Sequence, residues 1–157
     1  MTIKIAIIGA GPSGCFVAQS LGKICPEAEI TIVDRLPVPY GLVRYGVAPD
    51  HQGTKAVIRQ FARLFERQGV TFTGNLCVGD DDLADLSFAE LRGLFDAVVL
   101  ATGLSEDRRL GLVGEEARGV YGSGVVTRFW NDHPSDQALA PEFGTRVVVV
   151  GNGNVAL

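Results

Sequence analysis

The chain has 157 residues, 46% of them apolar and 20% charged, with a net charge of −4. That length holds one domain, or one domain and part of another. No basic excess points to nucleic acid, and the longest apolar runs are far too short for a membrane-spanning helix. Cys15, Cys25 and Cys77 form neither a CxxC pair nor a metal-ligand spacing. No metal site is expected, and the cysteines read as reduced thiols packed as small apolar side chains. Met-Thr-Ile-Lys leads straight into a strand-like run without a signal or transit layout, so a cytoplasmic location is expected.

In chain order, IKIAII at 3–8 reads as a buried parallel strand. A glycine turn follows, then an apolar stretch, Cys15 to Leu21, of helical length once Pro12 and Ser13 are included. Pro12 suits the first helical position, where its missing N–H does no harm. EITIVD at 29–34 is a second strand, which completes a βαβ unit. Residues 35–52, RLPVPYGLVRYGVAPDHQ, have no strand or helix period, yet are too apolar for a disordered segment. An ordered loop of this kind is expected to be shaped around a ligand.

Thr54 to Gln68 predicts one amphipathic helix. Val57, Ile58, Phe61, Leu64 and Phe65 share one arc, and Lys55, Arg59, Arg63 and Arg67 the opposite one. Val70 to Val78 reads as extended structure interrupted by Gly74-Asn75, and Ser87 with Glu90 as a capping box. AVVLA at 97–101 predicts a buried strand ending in Thr102-Gly103. An irregular crossover over 104–122, a short helix over 124–131 and a polar connection over 134–144 follow. RVVVV at 146–150 predicts another buried strand.

Two turns carry chemistry. Gly9-Ala10-Gly11-Pro12-Ser13-Gly14 is GxGxxG directly after a strand and opening a helix, with Asp34 about 20 residues on. Gly9 makes the sharp turn, Gly11 lets backbone approach a pyrophosphate, and Gly14 lets the helix lie near the strand. The helix N-terminus offers free N–H groups and a positive dipole end to phosphate. Asp34 would accept from adenosine ribose hydroxyls, which suits FAD or NAD rather than NADP. The second turn, Gly151-Asn152-Gly153-Asn154-Val155-Ala156, is the GxGxxA variant after a second strand. Two such turns imply two dinucleotides, a flavin with a nicotinamide being the usual pair. Only Leu157 follows the second turn, so the chain reads as a fragment.

PVPYGLVRYGVAPDHQGTK closely resembles the adrenodoxin-reductase-like NADPH–ferredoxin reductases, flavoproteins related in fold to glutathione reductase. The opening AIIGAGPSGCFVAQSL, the segment GNLCVG, the triplet ATG at 101–103 and GNGNVAL at the end resemble them too, in order and over essentially the whole chain. The resemblance implies an α/β fold: a Rossmann-like FAD-binding domain of three layers about a parallel sheet, plus the first strand and phosphate turn of an NADP-binding domain. The corresponding divisions are 1–104 for the FAD part, 105–145 for the crossover and 146–157 for the truncated start of the NADP domain. By resemblance, Pro12, Ser13 and Gly14 lie at the FAD pyrophosphate, Asp34 at the ribose, and Gly41 and Leu42 beside the flavin. Val78 meets the adenine through its backbone, and Thr102-Gly103 pass near the pyrophosphate. Asn152, Gly153, Asn154 and Val155 hold the NADP pyrophosphate, and Arg108 approaches the same nucleotide. The loop would then wrap the flavin. Asp34 stands where the family usually has Glu, Leu112-Val113-Gly114 replaces Ile-Pro-Gly, and Phe129-Trp130-Asn131 resembles Trp-Tyr-Asn.

The implied activity of the intact enzyme is hydride transfer from NADPH to FAD, followed by single-electron transfer to ferredoxin. The isolated chain is expected to be inactive. An FAD- or nucleotide-binding module without catalysis, and an electron-input subunit of a glutamate-synthase-like flavoenzyme, are the alternatives. His51, the titratable side chain of the flavin loop, is the catalytic candidate, either tuning or relaying protons or simply fixing the loop. Arg44 is likewise either a functional residue of the loop or a loop brace, and His133 reads as a surface residue. The basic stripe is either a steering surface for acidic ferredoxin or a solvated helix face.

Overall fold

The computed structural model describes residues 2–104 and 106–153. The chain divides into two compact units: Met1–Arg44 with Gly53–Leu104, and Tyr45–Gln52 with Ser105–Leu157.

The first unit is built on a four-stranded sheet of order β3-β2-β1-β4, with every pairing parallel. Its strands are β1 (Lys4–Ile8), β2 (Glu29–Val33), β3 (Thr71–Thr73) and β4 (Ala97–Leu100). Ile7 stands opposite both Ile32 of β2 and Val99 of β4, so the β-branched run of β1 forms the middle of the sheet. The entry to β4 is pinned by Asp96, whose carboxylate accepts the Lys4 N–H at 2.8 Å while its own N–H reaches Lys4 O at 2.9 Å.

Helix α1 (Pro12–Ile24) leaves β1 through the glycine turn, with Pro12 in its first turn as the sequence predicts. The segment after β2 departs from the irregular loop expected, for it holds two one-turn helices, α2 (Gly41–Tyr45) and α3 (Gln52–Lys55). The helix expected over Thr54 to Gln68 is likewise broken: α3 ends at Lys55 and α4 runs Ile58–Arg67. Between them the bonds tighten to i→i+3, Arg59 N–H to Ala56 O at 3.0 Å and Gln60 N–H to Val57 O at 2.9 Å. The break falls at Ala56-Val57, where the β-branched Val57 is the weaker helix former.

The core lies where α1 and α4 meet the sheet. Ile7, Cys15, Ala18, Ile32, Phe61 and Leu64 are buried there. Phe16 meets Phe61 edge-on at 5.0 Å between centroids, and Phe65 meets Phe72 at 5.8 Å. Helix α5 (Phe88–Leu94) starts in the predicted capping box: Ser87 Oγ accepts the Glu90 N–H at 3.2 Å and Glu90 Oε2 accepts the Ser87 N–H at 2.9 Å. One strand expectation needs correction. β4 is an edge strand rather than a buried one, and Leu100 is 65% exposed because no described strand lies beyond it. The stretch Val70 to Val78 is interrupted as expected: β3 ends at Thr73, Gly74 and the left-handed Asn75 (φ 60°) turn the chain, and Val78 forms an isolated bridge to Leu86.

The second unit contains α6 (Ser123–Trp130) and a 3₁₀ turn, Gln137–Leu139. Asp107 caps α6 from a distance, its carboxylate accepting the N–H groups of Gly124 and Val125 at 3.0 Å each. Asn131, just past α6, donates through Nδ2 to Val47 O at 2.9 Å, Tyr45 O at 3.3 Å and Thr127 O at 2.8 Å. His133 is not the surface residue expected: it is 6% exposed, with its ring edge-on to Tyr45 at 4.7 Å. The strand expected over 146–150 is also absent. Val148 is 86% exposed, and a strand requires a neighbour that none of the described residues supplies.

Candidate functional site

Gly9 takes φ 109°, and a Cβ there would sit 2.2 Å from Ala101 O, so only glycine fits between the two strand exits. A Cβ on Gly14 would lie 2.0 Å from Gly9 O, so this glycine sets how closely α1 approaches the turn. Gly11 differs: a Cβ there would meet no atom within 4 Å. Two of the glycines are therefore demanded by the protein's own packing, and the third borders open space.

That space lies at the start of α1. Gly11 is the N-cap and offers no side-chain cap, and no acid stands in the first turn. Cys15 N–H returns to Gly11 O at 3.0 Å, whereas the N–H groups of Ser13 and Gly14 have no partner within the helix. An uncapped end of a 13-residue helix presents donors and positive potential together. These residues fit a pyrophosphate.

Asp34 follows β2 at the same edge. Its N–H donates to Thr73 O at 3.0 Å and its O accepts from Leu76 N–H at 3.1 Å, so the exits of β2 and β3 are stitched together. Its carboxylate accepts the Ala10 N–H at 2.7 Å and the Leu36 N–H at 2.9 Å. The short side chain is thus engaged with the turn itself, and the oxygens' remaining lone pairs are what a ribose hydroxyl would meet. Beneath the turn, the Cys15 thiol faces Ala10 O at 3.5 Å. Burial first, and then the Asp34 charge, push this thiol up to about 12, so it stays neutral and unreactive. Cys25 and Cys77 are only half-buried, against the expectation of packed thiols.

The loop reaches the turn through Tyr40 and Gly41. Tyr40 N–H donates to Ala10 O at 2.8 Å, and a Cβ on Gly41 would stand 2.9 Å from Gly11 Cα. Tyr40 has φ 90°, unusual for a bulky residue. Arg44 braces the same segment: Nε donates to Pro39 O at 3.2 Å and the guanidinium lies 5.5 Å over the Tyr40 ring. Leu42 is 51% exposed. Lys55 leaves the expected solvated stripe, for its Nζ donates to Arg44 O at 2.8 Å, and burial with the Arg44 charge holds its pKa below the usual lysine range. Arg59, Arg63 and Arg67 remain exposed.

The structure therefore gathers Gly9, Gly11, Pro12, Ser13, Gly14, Asp34 and Gly41 about one turn, with Thr102 beside it: a Cβ on Gly9 would be 3.1 Å from Thr102 N. Gly103 follows in a left-handed conformation, φ 69°. Val78 sits beyond the Asp34-linked turn and bridges to Leu86. His51 is exposed and belongs to the second unit, where its N–H closes a turn on Ala48 O at 3.0 Å. Arg108, Asn152 and Gly153 are exposed in that unit too, while Asn154 and Val155 lie outside the described residues. Sequence reasoning gave no role to Tyr40 or Asp107, and took Ala10 and Asn131 only as members of their motifs. The aromatic before Gly41 was the visible signal for Tyr40; nothing local marks Asp107.

Among similar proteins, cindoxin reductase of Citrobacter braakii is 54% identical over 154 residues, 98% of this chain and 33% of that protein. The mitochondrial NADPH:adrenodoxin oxidoreductase of Arabidopsis thaliana is 42% identical over 99% of this chain and 32% of its own length. The solved structure of Mycobacterium tuberculosis FprA in complex with NADPH superposes with a TM-score of 0.92 at 38% identity, covering 99% of this chain and 35% of that one. The chain thus spans about a third of the length of these relatives. Residues 3–157 match the pyridine nucleotide-disulphide oxidoreductase family, and the parallel sheet with its glycine turn is consistent with that match. The chain belongs to that family.

Proposed function

We propose that this chain is the N-terminal part of an NADPH–ferredoxin-type reductase and forms the adenosine-diphosphate half of its FAD cradle. The observation that carries the reading is the uncapped start of α1, open at Gly11 and flanked by Asp34. The names of the similar proteins, NADPH-dependent reductases of adrenodoxin and ferredoxin among them, favour a reductase over a nucleotide-binding module without catalysis or an electron-input subunit.

When bound, FAD supplies the hydride acceptor and the step down to single electrons. The chain's own residues position it. Ser13 and Gly14 would donate to the pyrophosphate, Asp34 would accept from the ribose, Gly41-Leu42 would border the flavin side, Val78 would meet the adenine, and Thr102-Gly103 would pass near the pyrophosphate. Arg108 and the stretch Asn152, Gly153, Asn154 and Val155 are assigned to NADP in the same reading, and His51 to the flavin loop. Residues 1–104, 105–145 and 146–157 are then the FAD part, the crossover and the start of the NADP part. A cytoplasmic setting suits three free cysteines. No helix among the described residues is long and apolar enough to cross a membrane.

The test uses the full-length protein. It should purify yellow, bind FAD in a calorimeter, and reduce cytochrome c through added ferredoxin with NADPH. Protein without flavin that also refuses added FAD would overturn the reading.

A further inference from the structure

Tyr40 is a bulky residue held at φ 90°, a conformation that L side chains rarely adopt. Something must hold it there. Its ring stacks against Phe61 at 6.4 Å between centroids and tilts against Phe65 at 6.3 Å, both on the apolar face of α4. Arg44 covers the ring at 5.5 Å. Phe61 is fully buried, so the ring is lodged on a rigid wall. The main chain is fixed too: the Tyr40 N–H goes to Ala10 O at 2.8 Å, and Tyr40 O accepts from Val43 N–H at 3.0 Å. The next residue, Gly41, is the one whose missing Cβ lets it lie against Gly11 Cα.

From this we infer that Tyr40 is a positioning residue for the cofactor: its ring, anchored on α4, holds Gly41 against Gly11 and so fixes the loop's height above the phosphate turn. The role rests on the FAD reading above. A left-handed tyrosine is costly and persists only where surrounding packing over-determines it. Here that packing comes from one wall of the core and its effect falls on the residue facing the open space at Gly11. Tyr40 transmits the position of α4 to the turn without touching the cofactor.

The experiment compares FAD dissociation constants in the full-length protein, with melting temperature and the visible circular dichroism of bound flavin recorded alongside. Tyr40→Phe keeps the ring and should bind FAD within about threefold of the parent. Tyr40→Ala should weaken binding about tenfold or more and alter the flavin band. Tyr40→Gly removes the backbone penalty and so guards against simple misfolding; it should weaken FAD by a similar factor although its φ is now unstrained. Leu91→Ala, a buried site on α5, should lower the melting temperature while leaving FAD affinity unchanged. Parent-like binding by Tyr40→Gly, or equal weakening by Leu91→Ala, would overturn the role of Tyr40. Failure of the parent itself to bind FAD would instead overturn the reading of the site.

Discussion

The Ala10 N–H donates to Asp34 Oδ2 at 2.7 Å, so the carboxylate at the end of β2 is tied to the phosphate turn before any ligand arrives. With Leu36 N–H on the other oxygen, Asp34 is a structural acceptor as well as a proposed ribose acceptor. Asp34→Asn presents an amide that accepts at one end only, which leaves one backbone N–H facing an NH₂ group. Hydrogen bonds to a charged acceptor contribute about 1.5–3 kcal/mol, so chemical denaturation should show a loss of that order, together with weaker FAD binding. Unchanged stability would mean that the two backbone bonds carry little of the turn.

The three fingerprint glycines should separate by experiment. Gly9→Ala must place a methyl group on Ala101 O from a left-handed backbone, and Gly14→Ala one on Gly9 O. Each should cost about 3 kcal/mol or more and lose bound flavin through unfolding. Gly11 has φ −70°, open to any residue, and its Cβ would meet nothing. Gly11→Ala should stay within about 1 kcal/mol of the parent in stability and yet bind FAD about tenfold more weakly. Denaturation curves and FAD titrations on the same preparations decide it, and undiminished FAD affinity would count against a pyrophosphate at Gly11.

The contrast between these glycines also shows what the sequence carried. Motif spacing is local information, so β1, the glycine turn, α1 and Asp34 were legible, and so was the Ser87–Glu90 box. The features that escaped depend on distant partners. Periodicity through Thr54 to Gln68 is continuous, and the break at Ala56-Val57 does not disturb the apolar arc. The burial of His133 depends on the Tyr45 ring, 88 positions away in sequence (133 − 45), which no pattern near His133 announces. RVVVV has strand composition, but composition cannot supply the neighbouring strand.

Cys15 gives a pH prediction with a definite sign. Its folded pKa, about 12, lies above the ordinary 9.0 because burial, and then the Asp34 charge, disfavour the thiolate. The unfolded chain therefore loses this proton first, and the neutral thiol's contribution is complete below pH 9 and disappears as pH rises toward 12. Cys15→Ala should flatten the alkaline fall in melting temperature relative to the parent. In native protein at pH 8, Ellman's reagent should leave Cys15 unmodified until denaturant is added. Fast native labelling of Cys15, mapped by peptide mass, would contradict its burial.

Asn131 gathers Tyr45 O, Val47 O and Thr127 O on one amide nitrogen, binding the 45–47 stretch to the end of α6. Asn131→Ala leaves Tyr45 O and Val47 O to find water or remain unpaired, while Thr127 O keeps the backbone N–H of residue 131, at a cost of about 1–3 kcal/mol. Hydrogen exchange should then quicken at residues 45–51 and at the last turn of α6 while the β1–β2 amides keep their protection. Uniform quickening would indicate global destabilisation instead.

Arg59, Arg63 and Arg67 remain as an exposed basic stripe once Lys55 is recognised as a tether to Arg44 O. Among the described residues none of the three stands in an ion pair, so their field is available to an acidic electron carrier, the ferredoxin proposed as partner. Steering acts on encounter and is screened beyond about 10 Å at 0.1 M salt. Arg59→Glu with Arg63→Glu should therefore lower kcat/KM for ferredoxin about tenfold at low ionic strength, with the gap closing as salt is raised. NADPH-driven reduction of a small uncharged acceptor should not change, which separates docking from flavin chemistry. Equal ferredoxin kinetics in parent and variant at low salt would leave the stripe as a solvated helix face.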